Sequence, residues 1–403
     1  MSVESRARWA VSALFLTNGA IFANLLPRYP EIKATLGITN AGYGLAVAAF
    51  PAGAILAGLG AAALIRRFGS ARVAVAGTIA TSLAVLAAGF APIVWLFAAA
   101  LLIGGATDAI TDVAQNAHGL RLQRRYGRSI INSFHAVWSA GAVTGGLMAA
   151  GAIALRVPVP IHLGVSAVIF GTVALIALRF CLPGHEERPP ATPRSEGPEG
   201  TAPAPATPDR PRRLSPRTVI TLVALVMIAI GGVVVEDAGS SWAALYLTTS
   251  LAAPAAVGAL GYTALVAAQF VGRILGDQLV DRFGQRTVAR TGGLITALGM
   301  GAALAFPSVP GTIVGFAVAG LGVATVIPAA MHEADELPGL RQGTGLTMVS
   351  WLLRLGSLAS PPLVGLVADA SELRYGLIVV PIAGVAVMVL AQALQGRRPR
   401  PVS

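Results

Sequence analysis

Apolar residues along this chain fall into long charge-free runs separated by short polar turns. Such runs cover Trp9–Pro27, Ala34–Ile65, Val73–Thr107, Ser129–Leu155, Val157–Leu178, Ala243–Gly272, Gly292–His332 and Leu355–Ala368. A helix that crosses a bilayer needs about 20 apolar residues, so the longer runs hold two helices each. They break at turns such as Ala91-Pro92 and Pro307–Gly311. The pattern predicts twelve spans, near 9–27, 40–65, 73–90, 93–116, 130–155, 158–179, 218–246, 254–278, 287–306, 311–331, 343–368 and 375–395. The expected fold class is an all-α membrane protein. The first run has no small-residue cleavage site in a polar region after it, so it reads as a span rather than a signal peptide.

One phrase occurs twice. Arg67-Phe68-Gly69 follows the second span and Arg282-Phe283-Gly284 follows the eighth. A weaker echo pairs Gly105-Ala106-Thr107 in the fourth span with Gly322-Val323-Ala324-Thr325 in the tenth. Residues 183–217 hold ten prolines with scattered Glu and Arg and no apolar period. Such a segment cannot bury enough surface to offset its ordering entropy, so a disordered linker on the cytoplasmic side is expected there. The organisation that follows is a six-helix bundle at 1–182, the linker at 183–217, and a second six-helix bundle at 218–403, related by pseudo-symmetry.

Composition agrees: 55% of the 403 residues are hydrophobic and 12% charged, with mean hydropathy +0.72. A water-soluble domain has no place for so much apolar surface. Charge adds an orientation. Of 29 Lys and Arg, 23 fall at the termini and in loops such as Arg66–Arg72, Arg121–Arg128 and Arg282–Arg290, on one side of the twelve spans. Four (Arg28, Lys33, Arg156, Arg374) fall on the other side, and Arg273 and Arg354 lie within spans. By the positive-inside rule both termini are cytoplasmic, in a multi-pass protein of the inner or plasma membrane. The basic excess is thereby assigned to lipid headgroups rather than nucleic acid. The single Cys181 excludes a disulfide framework or a multi-cysteine metal site. No phosphate-binding loop, His-Glu-x-x-His or Ser-His-Asp set is present, so no enzyme, cofactor or metal is expected.

The stretch Gly276-Asp277-Gln278-Leu279-Val280-Asp281-Arg282-Phe283-Gly284-Gln285-Arg286 resembles the loop motif of the major facilitator superfamily. The resemblance covers nearly the whole chain. It implies a conformational role for Arg67, Gly69, Gly276, Asp277, Asp281, Arg282, Gly284 and Arg286. The first-half counterpart, Gly60 to Arg72, has Arg66 where the family has Asp. The family's salt-bridge latch is therefore expected only in the second half, around Asp281 and Arg282. Asp112–Ala117, Phe134–Ser139, Glu236 with Trp242, and Ser360–Gly365 are similar to a sugar-permease-like branch that includes fucose permease and MosC-type proteins. The proline-bearing fifth-span motif of drug antiporters is absent; Gly141–Gly146 keeps the glycines alone.

Polar groups inside spans are costly and default to function. Asp108, Asp112 and Asn116 recur every four residues and share one face of the fourth span. Glu236 and Asp237 close a charge-free run in the seventh; adjacent side chains diverge by about 100°, so only Glu236 is expected to face a cavity. Arg354, mid-way along the eleventh, needs a carboxylate, with Glu236 and Asp108 as candidates. Arg273 and Asp277 are expected to pair with each other. His135, Asn24 and Gln269 complete the candidate binding or coupling set; Asn18 is also polar but is not placed in it. A small-molecule substrate, protons and the bilayer are the expected partners of a monomer. The function expected is secondary transport of a small polar, sugar-like solute by alternating access. Proton-antiport efflux and a transporter-like sensor that moves nothing are the alternatives.

Overall fold

The computed structural model describes residues 2–58, 60–127, 130–184, 215–340 and 343–395. Among these residues twelve helices are long and apolar enough to cross a membrane: α1 (Val3–Leu36), α2 (Asn40–Gly58), α3 (Ser70–Gly89), α4 (Val94–Tyr126), α5 (Ser133–Ala154), α6 (Val159–Leu178), α7 (Pro216–Ser250), α8 (Ala255–Phe283), α9 (Gln285–Ala305), α10 (Val309–Asp335), α11 (Thr344–Ala370) and α12 (Leu373–Ala393). In hydrocarbon every backbone polar group must be satisfied within the segment, and the helix does this. Residues 185–214 of the expected linker lie outside the described residues. Three helices depart most from the sequence expectation. The first, expected at 9–27, runs Val3–Leu36. The second span stops at Gly58 and a separate helix, Ala61–Phe68, carries Arg66 and Arg67. The fourth runs on to Tyr126, where Gly127, left-handed at φ 68°, ends it.

The repeated phrase is one structure built twice. Gly69 sits at φ 84°, ψ 147° and Gly284 at φ 83°, ψ 153°, a region open in practice only to glycine. Each ends one helix and starts the next, with Arg67 over Phe68 at 5.2 Å and Arg282 over Phe283 at 5.3 Å. Packing repeats as well. α1 packs on α5 as α7 packs on α11, and α2 on α4 as α8 on α10; α3 on α4 and α6 matches α9 on α10 and α12. The close crossings fix the register: Gly105 lies on the Phe50 carbonyl and, both 215 residues on, Gly320 lies on that of Leu265. The partner of Gly105 is therefore Gly320, not the Gly322 that the sequence echo pairs with it. Small residues permit these backbone contacts where no hydrophobic effect drives helices together.

The two halves meet along α2 with α11 and along α5 with α8. Gly44 lies on the Pro361 carbonyl, Gly365 on that of Asn40, and Gly146 on Tyr262 and Thr263. Asp369 of α11 caps α2, accepting from the Asn40 N–H at 2.9 Å and the Ala41 N–H at 2.8 Å. The Tyr43 hydroxyl donates to the Ser241 carbonyl at 2.5 Å. Tyr29, Tyr43 and Trp242 stack edge to face, 5.6 and 4.9 Å apart, all fully buried. These contacts seal one end of the molecule, the end away from the two Arg-Phe-Gly turns. The helix that supplies much of the seal, α11, contains Pro361 and Pro362 between its cavity-facing part and Asp369.

Candidate functional site

Between the halves lies a cavity of about 460 Å³ walled by α1, α2, α4, α5, α7, α8, α10 and α11. The sealed end forms its ceiling. Toward the other end Asp112, His135 and Arg354 are exposed side chains, and the pocket opens there.

One wall is organised by Asn18 of α1. Its amide nitrogen donates to Asp108 Oδ1 of α4 at 2.8 Å, while its oxygen accepts from Trp138 Nε1 of α5 at 2.8 Å and Gln115 Nε2 of α4 at 3.3 Å. Asn18, Asp108 and Trp138 all line the cavity. The opposite wall is organised by Glu236 of α7. Gln269 of α8 donates to its carboxyl, and Arg273 lies 3.5 Å from it. The other arm of Arg273 donates to Ser139 of α5 at 3.4 Å, so this guanidinium reaches across from one half to the other. Phe22 and Phe50, stacked at 4.0 Å, supply apolar wall between the polar groups.

Asp108, Glu236, Gln269 and Arg354 are thus brought together in one pocket. Asp112 and Asn116 continue the same face of α4 toward the open end, where Asn116 donates to Asp112 at 3.0 Å. His135 stands below Trp138 on α5, edge-on to Phe15 at 5.3 Å; it is not part of the cavity wall.

Several expectations need correction. Asn24 does not face the cavity: it is fully buried, donating to the Ala20 carbonyl and held by His162 Nε2 at 2.8 Å. Arg28 donates to the other nitrogen of that ring at 3.3 Å and pairs with Glu31 at 2.9 Å, so Asn24 belongs to a helix-joining network. Both Glu236 and Asp237 line the cavity, because the pocket wraps round α7 widely enough to receive both. Arg354 is not bonded to Glu236 or Asp108, each already held by other groups; Asp112 is the carboxylate within its electrostatic range. Arg273 turns to Glu236 rather than to Asp277. Among the described residues Asp277 and Asp281 make no ion pair. Arg286 instead secures the end of α12, donating to the Leu394 carbonyl at 3.0 Å. Asn18 and Asp237 also line the cavity, positions that sequence reasoning did not place in the candidate set.

The chain belongs to the Major Facilitator Superfamily, whose profile it matches over residues 11–246 and 231–403. It is a multi-pass membrane transporter of that family, not an enzyme. Over 96% of its length it is 28% identical to an uncharacterised transporter of Sinorhizobium fredii, y4wD, covering 97% of that protein. It is 27% identical to the membrane protein MosC of Rhizobium meliloti, over 94% of this chain and 88% of MosC. Among solved structures, a D-xylose-proton symporter superposes with TM-score 0.72 at 16% identity, covering 97% of both chains. The nucleoside transporter NupG superposes with TM-score 0.68 at 13% identity, covering 98% of both.

Proposed function

We propose that this protein is a proton-coupled secondary transporter of a small polar, hydroxyl-bearing solute, and that the cavity between its halves is the transport site. The observation that supports this most is the character of the pocket. Three carboxyl groups, the Arg354 guanidinium and aromatic faces surround a space of about 460 Å³, within the range of small-ligand sites. Solved transporters of this fold include a D-xylose-proton symporter and a nucleoside transporter. Both termini and the basic turns face the cytoplasm of a cell whose inner or plasma membrane holds the protein. On that orientation the sealed end is outside and the structure is open to the inside. Alternating access then requires the seal to part while the Arg-Phe-Gly turns close. Residues 1–182 and 218–403 would move as the two bodies, joined through 183–217.

Asp108 is the proposed proton carrier. It lies in the wall, held by the Asn18 amide, and among the described residues it makes no ion pair. Its charge can therefore follow the opening of the cavity to either side. In proteoliposomes Asp108→Asn is expected to abolish uphill accumulation driven by a proton gradient while exchange down a solute gradient persists. Undiminished uphill uptake in that variant would remove Asp108 from the role. Counterflow in the wild-type protein separates a carrier from a sensor, which would bind without exchanging.

A further inference from the structure

The three cavity carboxyl groups are not equivalent. Asp108 is bonded by Asn18, and Glu236 by Gln269 with Arg273 beside it. Asp237 has Ser357 next to it, but its Oδ2 is buried with no hydrogen-bond partner among the described residues. A buried acceptor without a donor costs more than a made hydrogen bond returns, so such an atom in a ligand-sized pocket marks an unfilled contact. A second unfilled contact comes from the other half: Tyr29 lines the same cavity, and its hydroxyl is buried without a partner among the described residues. Trp242 Nε1 and Tyr246 Oη also lack partners, but neither residue lines the pocket.

We infer that Asp237 is the substrate-anchoring carboxylate: its Oδ2 accepts a hydrogen bond from a donor on the transported solute, a hydroxyl or a protonated amine, and Tyr29 supplies a contact from the opposite half. This rests on the cavity being the transport site. It divides labour among the carboxyl groups. Asp108 carries the proton, Glu236 holds Arg273 and the α5–α8 junction, and Asp237 holds the solute. A solute bridging α7 and α1 would also tie the two halves together, which is what couples occupancy to rocking.

The test measures binding of D-xylose, D-ribose, uridine, D-glucose and D-glucosamine, with 2-deoxy-D-ribose and 2-deoxy-D-glucose, to full-length protein in nanodiscs by calorimetry. The wild type is expected to bind at least one hydroxyl-bearing probe. Asp237→Asn and Asp237→Ala should weaken that binding at least tenfold. The wild-type preference for a sugar over its deoxy analogue should shrink toward unity in the same variants. D-glucosamine binding tenfold tighter than D-glucose identifies the donor as an ammonium, and equal binding identifies a hydroxyl; either supports the assignment. If the Asp237 variants fold poorly, Tyr29→Phe gives the second reading, with an expected loss of threefold or more and a reduced deoxy penalty. Wild-type binding that survives these substitutions, or that falls equally for every probe, overturns the role of Asp237 while leaving the transport site standing. Failure of the wild type to bind any probe overturns both.

Discussion

Asn18 is the residue on which the first-half wall depends. Three side chains from two other helices use its single amide. Interhelical hydrogen bonds in membranes contribute about 0.6 kcal/mol each on average, so Asn18→Ala is expected to lower stability by about 2 kcal/mol. Thermal unfolding in detergent measures this, and the emission of Trp138, freed of its acceptor, should shift. Cys181 behaves in the opposite way. It lies beyond α6, half-buried against apolar residues that include those of α6, and burial pushes its thiol up to about 12. A raised thiol pKa leaves little thiolate near neutrality. Maleimide at pH 7.5 should therefore label native protein slowly and unfolded protein fast. At this scale the sequence was informative where charge interrupted a long apolar run: Asp108, Glu236 and Arg354 all line the pocket. It was misleading where partners come from distant helices. Nothing local distinguishes Asn18, which faces the cavity, from Asn24 six residues later, which is consumed by His162 and the Ala20 carbonyl.

At the level of elements, the duplicated turn shows why a short phrase outweighs a long run of composition. Gly69 and Gly284 occupy a backbone region that costs other residues about 1–3 kcal/mol. Gly69→Ala and Gly284→Ala should each destabilise by that amount. Gly151 is a contrast within α5: a Cβ there would meet nothing within 4 Å and its φ is ordinary. Gly151→Ala should stabilise by about 0.5–1 kcal/mol. Urea or thermal unfolding of the three variants checks both signs. Span number and placement were readable because the bilayer demands a minimum apolar length. Helix ends were less readable: α4 extends through polar residues to Tyr126 because its extra turns leave the apolar zone, where apolar length no longer marks the helix. The weaker glycine echo misled by two residues, since small-residue strings are frequent and only the carbonyl each glycine touches sets the register.

For the whole molecule, the asymmetry between its ends defines a state. The seal made by Asp369, Tyr43 and the paired glycines is closed, while at the other end Asp277 and Asp281 make no ion pair among the described residues. Cysteines placed by Asn40→Cys and Asp369→Cys in a Cys181→Ser background should form a disulfide readily, arrest transport, and release it on reduction. Counterflow before and after reductant measures this. Free transport through the oxidised pair would show that α2 and α11 do not part during the cycle. The two-bundle plan was legible from the repeated phrase, but the open or closed state was not. It rests on cross-half contacts such as Gly365 on Asn40, whose partners are more than 300 residues apart in sequence.

The double proline in α11 ties these scales together. Proline has no N–H to give, so the carbonyls of Ser357 and Leu358 have no donor one turn further along the helix. A rod weakened at one level bends there before it bends elsewhere. The weak level falls between Arg354, near the open mouth, and Asp369, at the lid, with Ser357 beside Asp237 adjoining it. The upper third of α11 can therefore swing as a lever whose fulcrum lies next to the cavity. Lifting the lid then deforms the pocket by little, and the molecule can open its sealed end without first losing the shape of its cavity.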